Sequence, residues 1–285
     1  MKPTTLLASV LGGLGLVAAA CLGYGMAVEQ RAFKLRTVRI PILPRAHSPL
    51  TILHISDLHI LSSQAKKVAW VRTLADLNPD FVINTGDNMA SPDSLLALAR
   101  ALTPLADIPG VFVLGSNDFY GPRPVNPLSY LKKPPVLTEN LEDPTDWVEN
   151  LYSASTKRSK VILPTDAILD LFDSAGWLNA EQQRHTFTIK DTTIEVRGCS
   201  DAHMGEDDYR SVMGDHEADL LLSVTHAPYL RVLNDMVDDD ADIIFAGHTH
   251  GGQVCLPGGR ALTTNCDLPL AQAKGLSTHH HGDSW

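Results

Sequence analysis

The chain has 285 residues, 44% of them hydrophobic and 20% charged, the composition of a folded globular protein with room for one large domain or two small ones. Its formal net charge of -10 argues against a general binder of nucleic-acid backbone, which would be basic. It leaves room for a small phosphorylated substrate whose charge is met by metal ions.

In chain order, the first landmark is residues 6–28, "LLASVLGGLGLVAAACLGYGMAV", 23 residues without a charge. That length suffices to cross a bilayer as a helix. A cleaved signal peptide has a shorter apolar core and a clearer cleavage site, and "AAAC" is at best a weak lipobox. The expectation is an N-terminal transmembrane anchor over residues 1–29, a basic linker over 30–49 and a single domain over 50–285. Lys2 precedes the span, whereas Arg31, Lys34, Arg36, Arg39 and Arg45 follow it, a bias that favours a cytoplasmic domain on a single-pass membrane protein.

Beyond the linker, short apolar runs alternate with helical patterns. "LTILHIS" (50–56) reads as a buried strand. "QAKKVAWVRTLADL" (64–77) repeats Val68, Val71, Leu74 and Leu77 on one helical face and stops at Asn78-Pro79. A strand follows at 80–86. Ser91-Pro92 then opens a helix through Leu102, and a third strand covers 110–115. Residues 121–165 are rich in proline and polar residues and read as an inserted loop or cap. There Tyr130, Leu131 and Trp147 are either packed surface or a cover for a substrate. A helix near "DAILDLFDSAG", a hairpin in "HTFTIKDTTIEVRGCS" and the apolar strands of "ADLLLSVTH" and "ADIIFAGH" complete the pattern. Such strands alternating with helices imply sheets covered on both faces.

Each apolar run ends in chemistry. The first delivers Asp57 and His59, the second Asp87 and Asn88, the third Asn117 and Asp118, a later one His226, and the last His248 and His250. In open α/β folds the pocket lies outside the carboxyl ends of the strands, so these side chains should converge. Spacing of i,i+2 puts Asp57 with His59, and His248 with His250, on one side of an extended segment. Asp, Asn and His together suit Mn, Fe or Zn. Seven candidate ligands among these nine residues, Asp57, His59, Asp87, Asn117, His226, His248 and His250, are too many for one ion and match two divalent ions roughly 3.5–4 Å apart. Four cysteines, Cys21, Cys199, Cys255 and Cys266, form no CxxC, so no structural zinc knuckle is expected. Cys255 and Cys266 could pair in an oxidising compartment.

The ordered blocks "SDLH…TGDN…GSND…THAP…GHTHGGQ" resemble the calcineurin-like metallophosphoesterases, whose pattern is DxH, GD, GNH, H and GHxH. The similarity covers roughly residues 50–256 and is nearest to the membrane-associated bacterial branch ending in GHTHGGQ. The resemblance implies an α/β fold, a two-sheet β-sandwich flanked by helices, with a dinuclear centre at one edge. It implies Asp57, His59 and His250 on the first ion, Asp87 bridging, and Asn117, His226 and His248 on the second. A hydroxide between the ions would attack phosphorus, with Asp87, Asn117 and Asp118 as the catalytic group.

The third block departs from the pattern. Gly115-Ser116-Asn117-Asp118 stands where the family reads Gly-Asn-His-Asp/Glu, so either Asn117 shifts by one position to coordinate or Ser116 or water fills the gap. The family's histidine, a donor to the leaving group, is absent; Asp118, Asp201 or His203 could replace it, although "CSDAHMGEDD" also reads as a solvated acidic turn. After GHTHGGQ no clear strand follows Leu262, which suggests C-terminal strands are missing, and His279-His280-His281 reads as a solvated loop. The expected function is hydrolysis of a phosphodiester or pyrophosphate bond in a phosphorylated small-molecule or lipid-linked substrate. The alternatives are a catalytically degenerate metal-binding scaffold or sensor, and a nuclease, which the acidity disfavours.

Overall fold

The computed structural model describes residues 24–25, 31–122, 161–252, 254–256 and 260–282. The chain divides into Met1–Thr37 and Val38–Trp285. In the second unit the strands are β1 (Ile52–Ile55), β2 (Phe81–Asn84), β3 (Gly110–Phe112), β4 (Trp177–Asn179), β5 (Gln183–Ile189), β6 (Thr192–Gly198), β7 (Leu220–Val224), β8 (Ile243–Phe245), β9 (Val254–Leu256) and β10 (Arg260–Thr263). The helices are α1 (Ala65–Arg72), α2 (Leu95–Leu102), α3 (Ser116–Phe119), α4 (Thr165–Ser174) and α5 (Leu230–Asp238).

Two four-stranded sheets carry the fold, in the orders β1-β2-β3-β4 and β5-β6-β7-β8. The first is parallel throughout. In the second, β5 and β6 form an antiparallel hairpin and β6, β7 and β8 run parallel. β9 and β10 form a separate hairpin.

The two-residue period of a strand explains the layering. From the first sheet Phe81, Ile83, Val111 and Val113 join Ile194, Val196, Leu220, Leu222 and Val224 of the second in one buried core. The alternate residues Leu53, Ile55, Val82, Phe112 and Leu114 pack with Val71 of α1, Leu98 and Leu102 of α2 and Ile168 and Phe172 of α4. Outside the second sheet, Val232, Leu233 and Met236 of α5 pack with Tyr209 and Val212. The result is the α/β fold with two sheets that the sequence led us to expect. β4 escaped notice because three residues, Trp-Leu-Asn, offer no period to read.

Local signals held where they were strong. The helical run 64–77 becomes α1 followed by a tighter turn over Thr73–Leu77, and Asn78 closes it in the left-handed conformation at φ 47, which Asn tolerates better than most residues. The stretch expected as a linker ties on to the β5–β6 turn: the Ser48 amide donates to Asp191 and His47 Nδ1 lies 3.1 Å from Thr192 Oγ1.

The single-pass membrane anchor is corrected. A spanning helix needs about 20 apolar residues, and among the described residues no helix is long and apolar enough to cross a membrane; α4, for instance, has 10 residues. With the anchor goes the topological reasoning that placed the domain on the cytoplasmic face. Of residues 6–28 only Tyr24 and Gly25 are described. The rest of that stretch, and residues 123–160 of the expected insert, lie outside the described residues, as does Gln253 of the last block. Cys199, Cys255 and Cys266 are all free thiols, so the open Cys255–Cys266 pairing does not form.

Candidate metal centre

Six parallel strands, three from each sheet, point their carboxyl ends at one place. β1 leads to Asp57 and His59, β2 to Asp87, β3 to Asn117, β6 to Asp201 and His203, β7 to His226, and β8 to His248 and His250. The loops continue the ladder past the strands. The amides of Asp57 and His59 donate to the carbonyls of Gly86 and Asp87, and the Gly247 amide donates to the His226 carbonyl.

Asp57, His59, Asp87, His248 and His250 are all left-handed, with φ of 52, 39, 57, 67 and 50. This conformation costs an L-residue about 1–2 kcal/mol, and strain of this kind gathers where the surroundings over-determine the backbone. Glycines leave the necessary space. A Cβ on Gly115 would stand 2.3 Å from Asp87 Oδ1 and 2.6 Å from His226 Cε1, and one on Gly247 would stand 2.6 Å from Asp57 Oδ2.

Two groups of ligand atoms converge, each within 4.8 Å of one another: Asp57, His59 and His250, and Asp57, Asp87 and His226. Asp87 Oδ2 lies 3.4 Å from His59 Nε2 and 3.5 Å from His226 Nε2, so one carboxylate oxygen faces imidazoles from both sheets. His226 is fully buried. Its Nδ1 donates to the Thr85 carbonyl at 2.6 Å, which turns Nε2 inward, where it has no hydrogen-bond partner. An orphaned buried ring nitrogen opposite a buried carboxylate fits a cation between them. In the outer group His59 and His250 are stacked with their Nε2 atoms 3.3 Å apart, and His250 Nε2 lies 3.5 Å from Asp57 Oδ1. The donor set, carboxylate and imidazole, suits a divalent cation of the Mn, Fe, Zn group.

Electrostatics bind the inner pair tightly. Burial disfavours the His226 imidazolium, but the Asp87 carboxylate, with Asp201 behind it, overrides burial and holds His226 well above the usual histidine range. Burial opposes Asp87 ionisation likewise, and the His226 and His59 rings with the Asn117 amide hold it well below the usual carboxylate range. Burial lowers His59 and, helped by the His203 and His226 rings, lowers His248 strongly.

The third block is α3, one helical turn. Asn117 donates from its backbone to Asp87 Oδ1 at 2.7 Å and from Nδ2 to Oδ2 at 2.8 Å. Ser116 directs its backbone amide to Asp201. Asp118 is fully buried, and its carboxylate receives the amides of Asp87, Asn88 and Gly115 and the Asn88 side chain. Burial, with the Asp87 charge added, pushes it up to about 7. Asp118 therefore braces the loops after β2 and β3, with both carboxylate oxygens engaged by those donors. His248 belongs to neither converging group; its Nε2 lies 3.3 Å from the Asn265 carbonyl, and its ring sits edge-on to His226 at 5.4 Å.

Thr85, Tyr229 and Asn265 carry parts of the site that the sequence did not announce. Thr85 acts through its carbonyl, which no motif encodes. Tyr229, at the start of α5, holds His203 Nδ1 at 3.0 Å, and Asn265 lies beyond the last block. His279 and His281 bond to Asn234 and Asp238 on α5, apart from the centre.

The chain is 25% identical over 249 residues to the "Uncharacterized protein YpbG" of Bacillus subtilis, covering 86% of this chain and 78% of that one. It is 26% identical over 226 residues, 73% of this chain, to the "UDP-2,3-diacylglucosamine pyrophosphatase LpxG" of Chlamydia trachomatis, of which it spans 65%. Among solved structures, a purple acid phosphatase from yellow lupin overlaps 72% of this chain and 38% of that one at 10% identity and a TM-score of 0.40, a likeness too loose to carry an argument. The family model "Calcineurin-like phosphoesterase" matches residues 50–252, more than half of the chain and every converging side chain described above. The chain belongs to the calcineurin-like phosphoesterase family.

Proposed function

We propose that the chain is a hydrolase of phosphodiester or pyrophosphate bonds that works with two divalent ions held by Asp57, His59, Asp87, Asn117, His226, His248 and His250. The observation that carries this reading is the Asp87 carboxylate, buried between His59 and the orphaned His226 Nε2 at 3.4 and 3.5 Å. When bound, divalent ions polarise phosphoryl oxygens and make water a nucleophile near neutral pH.

The chain's own residues do the rest. Asp87 faces both groups of ligands. His226 is locked by Thr85 so that Nε2 points at the centre. Asp118 fixes the backbone that carries Asp87. Asn117 joins the ligand set by turning its Oδ1 inward in place of Nδ2, and His248 joins beside His226. A pyrophosphate bond is favoured because the third block brings no imidazole to help a poor leaving group. The chlamydial relative's name points the same way, to a nucleotide-linked, acylated sugar as the class of substrate.

Purified protein with Mn²⁺ should hydrolyse bis-p-nitrophenyl phosphate and a UDP-linked acylated sugar, and Asp87→Ala should abolish both. The Asn117 amide nitrogen turned toward Asp87 favours one second reading, a metal-binding scaffold or sensor. Tight ion uptake with no turnover of either substrate would support that reading instead.

A further inference from the structure

Three groups near the centre could meet a substrate oxygen. Asp118 is excluded by burial and by the donors it already serves. Asp201 is 2% exposed, its Oδ2 taken by the Ser116 amide and its Oδ1 by the His203 amide. His203 remains. It is half-buried on the loop after β6, and its ring centroid lies 4.6 Å from that of His248. Nδ1 is held by Tyr229 Oη at 3.0 Å, and Nε2, on the other side of the ring, has no hydrogen-bond partner among the described residues.

Tyr229 is itself fixed. It is buried, with the Arg231 guanidinium 4.9 Å over its ring, and Arg231 is in turn held by Asp207 and the Ala202 carbonyl. A tyrosine hydroxyl donating to Nδ1 leaves the proton of the neutral imidazole on Nε2. The Asp201 carboxylate, gripping the amides of Ser116 and His203 together, sets the distance between this ring and the third block.

We propose that His203 contacts the substrate directly, donating a hydrogen bond from Nε2 to a phosphoryl oxygen at the metal centre, and that Tyr229 is the positioning residue that fixes the ring and its tautomer. The proposal rests on the hydrolase reading only for the identity of the ligand, a phosphoryl group; no proton is transferred and no bond is broken by His203.

The test uses the full chain loaded with Mn²⁺, with inorganic phosphate as the probe in titration calorimetry. Mn²⁺ affinity is measured on the same samples, and turnover of bis-p-nitrophenyl phosphate alongside. Loss of a hydrogen bond to a charged oxygen should weaken phosphate binding about tenfold or more in His203→Ala. His203→Gln, which keeps a donor near the Nε2 position, should recover most of that loss. Tyr229→Phe should fall between the two, and Mn²⁺ affinity should be unchanged in all three. Unchanged phosphate affinity in His203→Ala, or a parallel fall in Mn²⁺ affinity, overturns the proposal. Absence of wild-type turnover with phosphate still lost in His203→Ala would count against the hydrolase reading and leave the role of His203 standing.

Discussion

The two halves of the centre are built differently. The inner half, Asp87 with His226, has side chains only 3% and 0% exposed, and each is held by the fold: Asp87 by Asn117, its backbone by Asp118, and His226 by the Thr85 carbonyl. The outer half, His59 and His250, has side chains 23% and 39% exposed, and the two rings stack on one another with their Nε2 atoms 3.3 Å apart. The inner half is part of the core and shares its energetics, whereas the outer half is a surface fixture. Substitutions inside should therefore lose stability and ion binding together, and substitutions outside should lose ion binding alone.

The largest expected effect is that of Asp87→Ala. It strands His226 in the interior, and breaking a buried pair costs about 3–5 kcal/mol. A denaturant titration of the ion-free protein should register that loss, and ion binding should disappear with it. Gly115→Ala comes next. Its Cβ would collide with both inner ligands, overpacking that costs about 1–3 kcal/mol; thermal unfolding should show the loss, with weakened ion uptake. Asp118→Asn keeps the shape but turns a donor toward backbone amides. Misplaced outer partners weaken a metal site about 10–100-fold, so ion affinity should fall by that much, and a value equal to wild type would remove the bracing role.

His250→Ala is the counterpart outside. Ion affinity should drop while the stability of the ion-free protein stays within about 0.5 kcal/mol of wild type, as at other surface positions. The smallest signal is protonic. In the ion-free protein the Asp87 carboxylate overrides burial and holds His226 above its usual range, and a ligand nitrogen must be free of its proton. Ion uptake should therefore release protons and strengthen as pH rises. Calorimetry in buffers of different ionisation enthalpy measures this, and uptake without proton release would show that His226 stays out of the ligand set.

The sequence revealed the site better than it revealed the wiring behind it. Strand ends that finish in Asp, Asn or His are visible because strands are apolar and these residues are not; Asp57, His59, Asp87, His226 and His250 all converge as their positions suggested. What a side chain does once it arrives was not legible. Asp118 was one of three candidates to replace the family's missing histidine; the helical turn of α3 places its carboxylate in the interior, where three backbone amides donate to it. The Thr85 carbonyl that sets the His226 tautomer is main chain and leaves no mark on composition. Tyr229 reads as an ordinary aromatic before a helix, and only the folded loop after β6 brings His203 to it. The anchor was expected from the length, lack of charge and terminal position of residues 6–28 and from the want of a clear cleavage site, and no described helix supports it.

Anomalous diffraction from crystals of the full chain loaded with Mn²⁺ probes the centre most directly. Two peaks about 3.5–4 Å apart, one against Asp57, His59 and His250 and one against Asp87 and His226, are the expected result. A protein that takes up Mn²⁺ only elsewhere, leaving His226 Nε2 facing Asp87 with nothing between them, would contradict it.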